Sequence, residues 1–260
     1  MNHRAVNNIL RALFLAAGLL AVAAPMNAAS AGPLSWLGGG ERVQGSGKIV
    51  KQNRELGHFT ALATSVGGNV EIRMGNSESV TVEADDNIVP LIETVIDNNT
   101  LRIRPVKRDM QLDTRTMKIV VTVRALNRVT VAGSGAVGAD KLQAESLTFD
   151  VGGSGTINLR NLQSESVAIA LGGSGSLKAS GNTERLQVSI GGSGRVDAGQ
   201  LASRTAAVSI GGSGQATVWA QKSLNLSVAG SGDIAYYGDP QVSKSVMGSG
   251  TIKRIGGSPQ

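Results

Sequence analysis

The chain has 260 residues, no cysteine, a formal net charge of +6, and 41% apolar against 17% charged residues. That length supports a packed core, the missing thiols exclude disulfide frameworks and cysteine-based chemistry, and 3% aromatic content leaves the interior to Val, Ile, Leu and Ala. The 35 glycines follow no every-third-residue period, which excludes a collagen-like helix.

Residues 1–31 read as a secretory signal peptide. Arg4 and Arg11 give a positive start, "ALFLAAGLLAVAAP" (12–25) is an apolar run, and "ASA" (29–31) supplies small residues before a cleavage site. The run is short for a membrane span of about 20 residues, and no later stretch predicts a transmembrane helix. An exported bacterial protein, periplasmic or at the cell surface, is the expectation. Without Arg4 and Arg11, 25 − 2 = 23 basic residues face 19 acidic ones. That excess is too mild to point to nucleic acid.

Residues 32–47, "GPLSWLGGGERVQGSG", predict a flexible linker. From 48 to 131 the pattern is β but irregular. "NVEIRM" (69–74), "SVTVEA" (79–84), "TLRIRP" (100–105) and "TMKIVVTV" (116–123) alternate apolar with polar residues. Pro90 argues against a central strand at its own position, and "VKRDMQLDTR" (106–115) reads as a polar loop. In the basic run "LRIRPVKR" (101–108), Arg102 and Arg104 share one face of a strand, which reads as a solvated face. The region is expected to form the first, irregular rungs of the coil that follows; a small separate β domain is the alternative.

Residues 132–255 carry a repeat. The words "AGSG", "GGSG" and "MGSG" place serines at 134, 154, 174, 193, 213, 231 and 249, spaced by 18 to 20 residues. A fixed period near twenty signals a solenoid. Within each unit Val167, Ile169 and Leu171 share a parity, as do Leu186, Val188 and Ile190, and Leu224, Leu226 and Val228. Period two predicts strands. Each unit returns with the same polarity, so neighbouring copies pair in parallel about 4.8 Å apart. The predicted fold is all-β, a right-handed parallel β-helix with rungs of about 20 residues. In "SIGGSGRV" (189–196), Ile190, Gly192, Gly194 and Val196 have inward parity and Ser193 outward parity. The glycines mark a bend where a side chain would collide. The predicted corner column is Gly133, Ser134 and Gly135; Gly153, Ser154 and Gly155; Gly173, Ser174 and Gly175; Gly192, Ser193 and Gly194; Gly212, Ser213 and Gly214; Gly230, Ser231 and Gly232; and Gly248, Ser249 and Gly250. Residues 256–260 read as a tail.

Three passages carry a resemblance to a known family. "VQGSGKIVKQNRELGHFTALATS" (43–65), "NIVPLIETVIDNNTLRIRP" (87–105) and "SVAGSGDIAYYGDPQV" (227–242) resemble the opening, middle and closing words of the head GIN domain family, exported bacterial proteins often labelled auto-transporter adhesins. The resemblance spans roughly 43–254. It implies a right-handed β-helix and an adhesin-like role, and it brings no catalytic residue to transfer.

Motifs for chemistry are sparse. A calcium-binding glycine repeat needs Asp where "GGSGTI", "GGSGSL", "GGSGRV" and "GGSGQA" carry Ile157, Leu177, Val196 and Ala216. "EADDN" (83–87) reads as a polar turn, and no phosphate-binding loop motif occurs. His58 is the one histidine beyond the signal segment, and a structural role is expected for it. The carboxylates Asp140, Asp150, Asp197 and Asp233 show no pairing pattern. Among the few rings, Tyr236 has inward and Tyr237 outward parity, and Trp219, Tyr237 and Asp239 form the candidate ligand surface. No catalytic residue, cofactor or metal is expected. The predicted function is a non-catalytic envelope solenoid that presents repeated polar surface to a glycan, a cell-wall component, an envelope protein or another copy of itself. The alternative is a polysaccharide lyase or hydrolase.

Overall fold

The computed structural model describes residues 40–259, so the signal segment and most of the linker lie outside the described residues. The strands, in order, are β1 (Arg42–Gln44), β2 (Ile49–Glu55), β3 (Ala61–Thr64), β4 (Asn69–Met74), β5 (Ser79–Asp85), β6 (Ile92–Asp97), β7 (Thr100–Pro105), β8 (Gln111–Asp113), β9 (Lys118–Val123), β10 (Arg128–Gly133), β11 (Ala136–Ala139) and β12 (Leu142–Gly153). The series ends with β13 (Thr156–Leu171), β14 (Ser176–Ile190), β15 (Arg195–Gly212), β16 (Gln215–Gly230), β17 (Asp233–Tyr237), β18 (Gln241–Gly248) and β19 (Thr251–Gly256). Pro90 lies in a single 3-10 turn, Val89–Leu91, where its missing N–H costs no ladder bond.

From β12 onward the chain is a β-solenoid. Each long strand pairs in parallel with the next, and the apolar parity stacks into columns. One column runs Val131, Val151, Leu171, Ile190, Ile210, Val228 and Val246. Its neighbour runs Val129, Phe149, Ile169, Val188, Val208, Leu226 and Lys244. All but the last member of each are buried. Burying one such side chain contributes about 1.5–3 kcal/mol, so the stacked columns hold the coil together without aromatic bulk. Rung-to-rung ion pairs on the outside, such as Arg128–Asp150 at 2.8 Å and Arg204–Glu184 at 3.6 Å, are exposed and contribute roughly 0–1 kcal/mol each.

The corners stack as tightly as the backbone permits. The amides of Ser154, Ser174, Ser193, Ser213, Ser231 and Ser249 donate to the carbonyls of Gly133, Gly153, Gly173, Gly192, Gly212 and Gly230 at 2.9–3.1 Å. A Cβ on Gly212 would stand 2.7 Å from the Gly192 oxygen, and one on Gly214 would stand 2.5 Å from Ile190 Cγ2. Gly212 also has φ +142, a left-handed value that favours glycine. The last glycine of each word from Gly135 to Gly232 is buried, and all seven serines are exposed.

Chain order and stacking order differ at the other end. β3 lies between β7 and β10, and β4 lies between β9 and β11, all in parallel. The rung made by β3 and β4 is therefore enclosed by two rungs that come later in sequence. Beyond it, β5 pairs antiparallel with both β9 and β2, and β6 pairs antiparallel with β7. These antiparallel strands, of which only β6 and β7 form a hairpin, cover the edge that the outermost parallel rung would leave open. Residues 48–131 thus contain antiparallel pairs that a simple series of rungs lacks. Two further assignments change. Arg42–Gln44, placed in the linker, and Gln111–Asp113, placed in a loop, pair with each other as a two-stranded parallel sheet. An ion pair of 2.7 Å between Arg42 and Asp113 supports it, and alternation is too short in three residues to announce a strand.

Candidate ligand-binding face

One side of the coil begins a few residues after each GSG corner. Ser164, Thr183 and Ser203 occupy successive register positions there. Their hydroxyls donate to main-chain carbonyls, Ser164 to Glu145 and Ser166, Thr183 to Arg185, and Ser203 to Trp219. Those bonds fix the bend and leave the flanking positions to face outward. The result is a polar groove of about 770 Å³, lined by Gln163, Glu165, Asn182, Glu184, Arg204, Gln221, Lys222, Asp239 and Gln241 among others.

The pairing register makes one column of this side continuous with the aromatic residues. Gln143 pairs with Gln163, Gln163 with Asn182, Asn182 with Ala202, Ala202 with Trp219, and Trp219 with Tyr237. Amides thus occupy one end of the column and two half-exposed rings the other. Gly199 and Gly256 make room for Tyr237, since a Cβ on either would come within 3.3 Å of its ring. Tyr236, on the opposite parity, pairs with Val218 and packs on the core. Asp239 is exposed at the groove mouth, 3.5 Å from the Arg254 guanidinium.

The two glutamates of the groove each lie near an arginine. Glu165 is 4.0 Å from Arg185, and Glu184 is 3.6 Å from Arg204. The four carboxylates singled out from sequence are dispersed. Asp140 meets Arg160, Asp150 meets Arg128, Asp197 meets Lys178, and Asp233 accepts a hydrogen bond from Thr251. His58 and Glu78 are 3.0 Å apart, and Arg124 approaches the same carboxylate. Among the described residues, no group of three or more His, Cys, Asp or Glu converges as for a metal ion.

The outlying "QGSG" (44–47) has a different role from the corner words. The Gly47 amide donates to Asp85 Oδ1 at 2.6 Å, and Ser46 donates to Asp86 and Asn87 through its hydroxyl and its amide. Thr114 donates to the other Asp85 oxygen. The Thr114 hydroxyl first, and then the Gly47 amide, hold the Asp85 carboxyl below the usual carboxylate range against the opposing effect of burial. Asp86 is lowered by the Ser46 hydroxyl and then by Lys48. "EADDN" is therefore a clasp for the chain's entry into the fold. Sequence reasoning missed it because its partners are about 40 residues apart.

Stacked parallel rungs with outward side chains at a constant interval define a β-solenoid. The chain belongs to the family described as "putative auto-transporter adhesin, head GIN domain", which matches residues 58–240. A "putative adhesin" of Bacteroides fragilis, known from its crystal structure, is 28% identical with TM-score 0.77, covering 82% of this chain and 100% of that one. A "putative lipid binding protein" of Parabacteroides distasonis is 24% identical with TM-score 0.70 over 83% of this chain and 100% of that one. A "putative adhesin" of Parabacteroides merdae is 18% identical with TM-score 0.65 over 83% and 99%. The last two bear on the fold alone. Among curated proteins, none matches the chain. No helix among the described residues is long and apolar enough to cross a membrane.

Proposed function

We propose that the protein is a non-catalytic, exported adhesin-like solenoid that holds a glycan chain along its polar groove. In this reading the mature chain starts after Ala31, and residues 48–255 act as one rigid right-handed body. The observation that carries it is the column from Gln163 through Asn182 to Trp219 and Tyr237. It sets amides, Ala202 and then two rings at the interval of parallel strands, about 4.8 Å, an advance comparable to one sugar unit of an extended polysaccharide. Amides and paired charges hydrogen-bond hydroxyl groups, and rings cover the apolar faces of sugars. Many weak contacts repeated along one rigid body then add up through effective concentration.

The test is a panel of envelope and cell-wall glycans against the purified protein, with Trp219→Ala and Tyr237→Ala alongside. Retention of a glycan without turnover, weakened about tenfold or more by either substitution, supports the reading. Release of reducing or unsaturated ends would establish the enzymatic alternative instead. Retention that neither substitution alters would displace the site from this column.

A further inference from the structure

The last rung carries a surface separate from the groove. β18 and β19 pair in parallel with β16 and β17 on one side, and every residue of β18 is exposed. Four large apolar side chains are exposed there, Val242 (39%), Val246 (41%), Met247 (68%) and Ile255 (42%). From Gln241 to Gln260 the sequence holds Lys244, Lys253 and Arg254 and no acidic residue. The apolar column that runs through Phe149 and Leu226 ends on Lys244, an ammonium at a position that is hydrophobic in every rung before it.

An apolar end whose three cations outnumber the neighbouring Asp233 and Asp239 accepts some partners and refuses others. A second copy stacked end to end would set three cations against three, and a charge on the inward parity keeps the core from continuing across the junction. An anionic bilayer surface matches both properties, because it attracts ammonium and guanidinium groups and admits apolar side chains between its headgroups. The free backbone edge needs hydrogen-bond partners, which water and headgroups supply and acyl chains do not, so the rung rests at headgroup depth. Arg254 is partly engaged, its Nε donating to the Gly238 carbonyl at 2.7 Å and its Nη2 lying 3.5 Å from Asp239. Lys244 and Lys253 therefore carry most of the attraction.

We propose that the final rung, Gln241–Gly256, docks on an anionic phospholipid surface and stands the solenoid end-on. The test is co-sedimentation of the purified protein with vesicles of phosphatidylcholine alone or with about 30% phosphatidylglycerol, whose anionic headgroups attract lysine and arginine. Binding is expected only to the anionic vesicles and is expected to fall with salt. Each lysine contributes roughly fivefold, so the double variant Lys244→Ser/Lys253→Ser weakens it on the order of 30-fold. Met247→Ser/Ile255→Ser weakens it about tenfold or more, and Lys141→Ser, elsewhere on the surface, leaves it unchanged. Four outcomes would overturn the proposal: no sedimentation with anionic vesicles at low salt, equal sedimentation with both compositions, indifference to both double variants, or a stable dimer in light scattering that Met247→Ser dissolves. Glycan retention through Trp219 is read independently of all four.

Discussion

Adjacent glycines at one corner separate steric fit from glycine content. A Cβ on Gly192 would lie 2.6 Å from the Gly173 carbonyl oxygen and 3.3 Å from both its carbon and its nitrogen, all rigid backbone of the preceding rung. A Cβ on Gly191 would meet only the Leu171 oxygen, at 3.9 Å. Neither residue has the left-handed φ that disfavours alanine, so the two sites differ in space alone. Gly192→Ala requires the rungs to part by roughly 0.7 Å to restore an ordinary carbon contact. Overpacking of this kind costs about 1–3 kcal/mol. The same movement stretches the 3.1 Å bond from the Ser193 amide to the Gly173 carbonyl, which adds about 1 kcal/mol. The expected loss is about 2–4 kcal/mol, a fall in Tm of roughly 5–15 °C for a chain of this size. Gly191→Ala is expected to be neutral or to stabilise by up to about 1 kcal/mol through the unfolded chain. Thermal and urea unfolding followed by far-ultraviolet circular dichroism read both. Stabilities within about 0.5 kcal/mol of each other would refute the reasoning, because the corners would then have slack that the stacking excludes.

Two further outcomes follow from the ends of the molecule. The Asp85 carboxyl is lowered in the folded state, so its contribution is complete above the unfolded carboxylate pKa of about 3.9 and is lost as pH falls through the lower folded value. Asp85→Asn is accordingly less stable than the parent by a constant margin above about pH 5, with the margin narrowing in more acid solution; a margin that ignores pH would remove the carboxylate from the clasp. At the opposite end, Lys244→Leu extends the Leu226 column by one apolar member and takes away an inward charge. Light scattering is expected to show self-association of this variant at concentrations where the parent is a single particle, and unchanged particle mass would mean that Lys244 does not guard the edge.

The solenoid was legible because its sequence repeats two signals together. Alternation at Leu186, Val188 and Ile190 assigns parity, and the GSG words mark where each circuit returns, so register follows from counting. Residues 48–131 have the first signal without the second. Alternation in "SVTVEA" says which side chains turn inward but not that Val80 pairs with Val121 and Arg54, or that the partner strands run antiparallel. Of the proposed face, Trp219, Tyr237 and Asp239 were singled out from the sequence. Its amide end at Gln163 and Asn182 was not, because polar residues on an outward parity look alike until the register brings them beside the rings.

The enclosed rung of β3 and β4 bears on how such a molecule is assembled and how it can change in length. Residues 61–74 obtain both neighbours only after about 139 residues of chain are present, so the starting block must close as one cooperative event. Everything past Leu142 then adds layer upon layer on a finished template. One GSG circuit inserted or removed between Val151 and Gly212 changes neither terminus, and the protein is in effect a ruler with a fixed base and an adjustable reach.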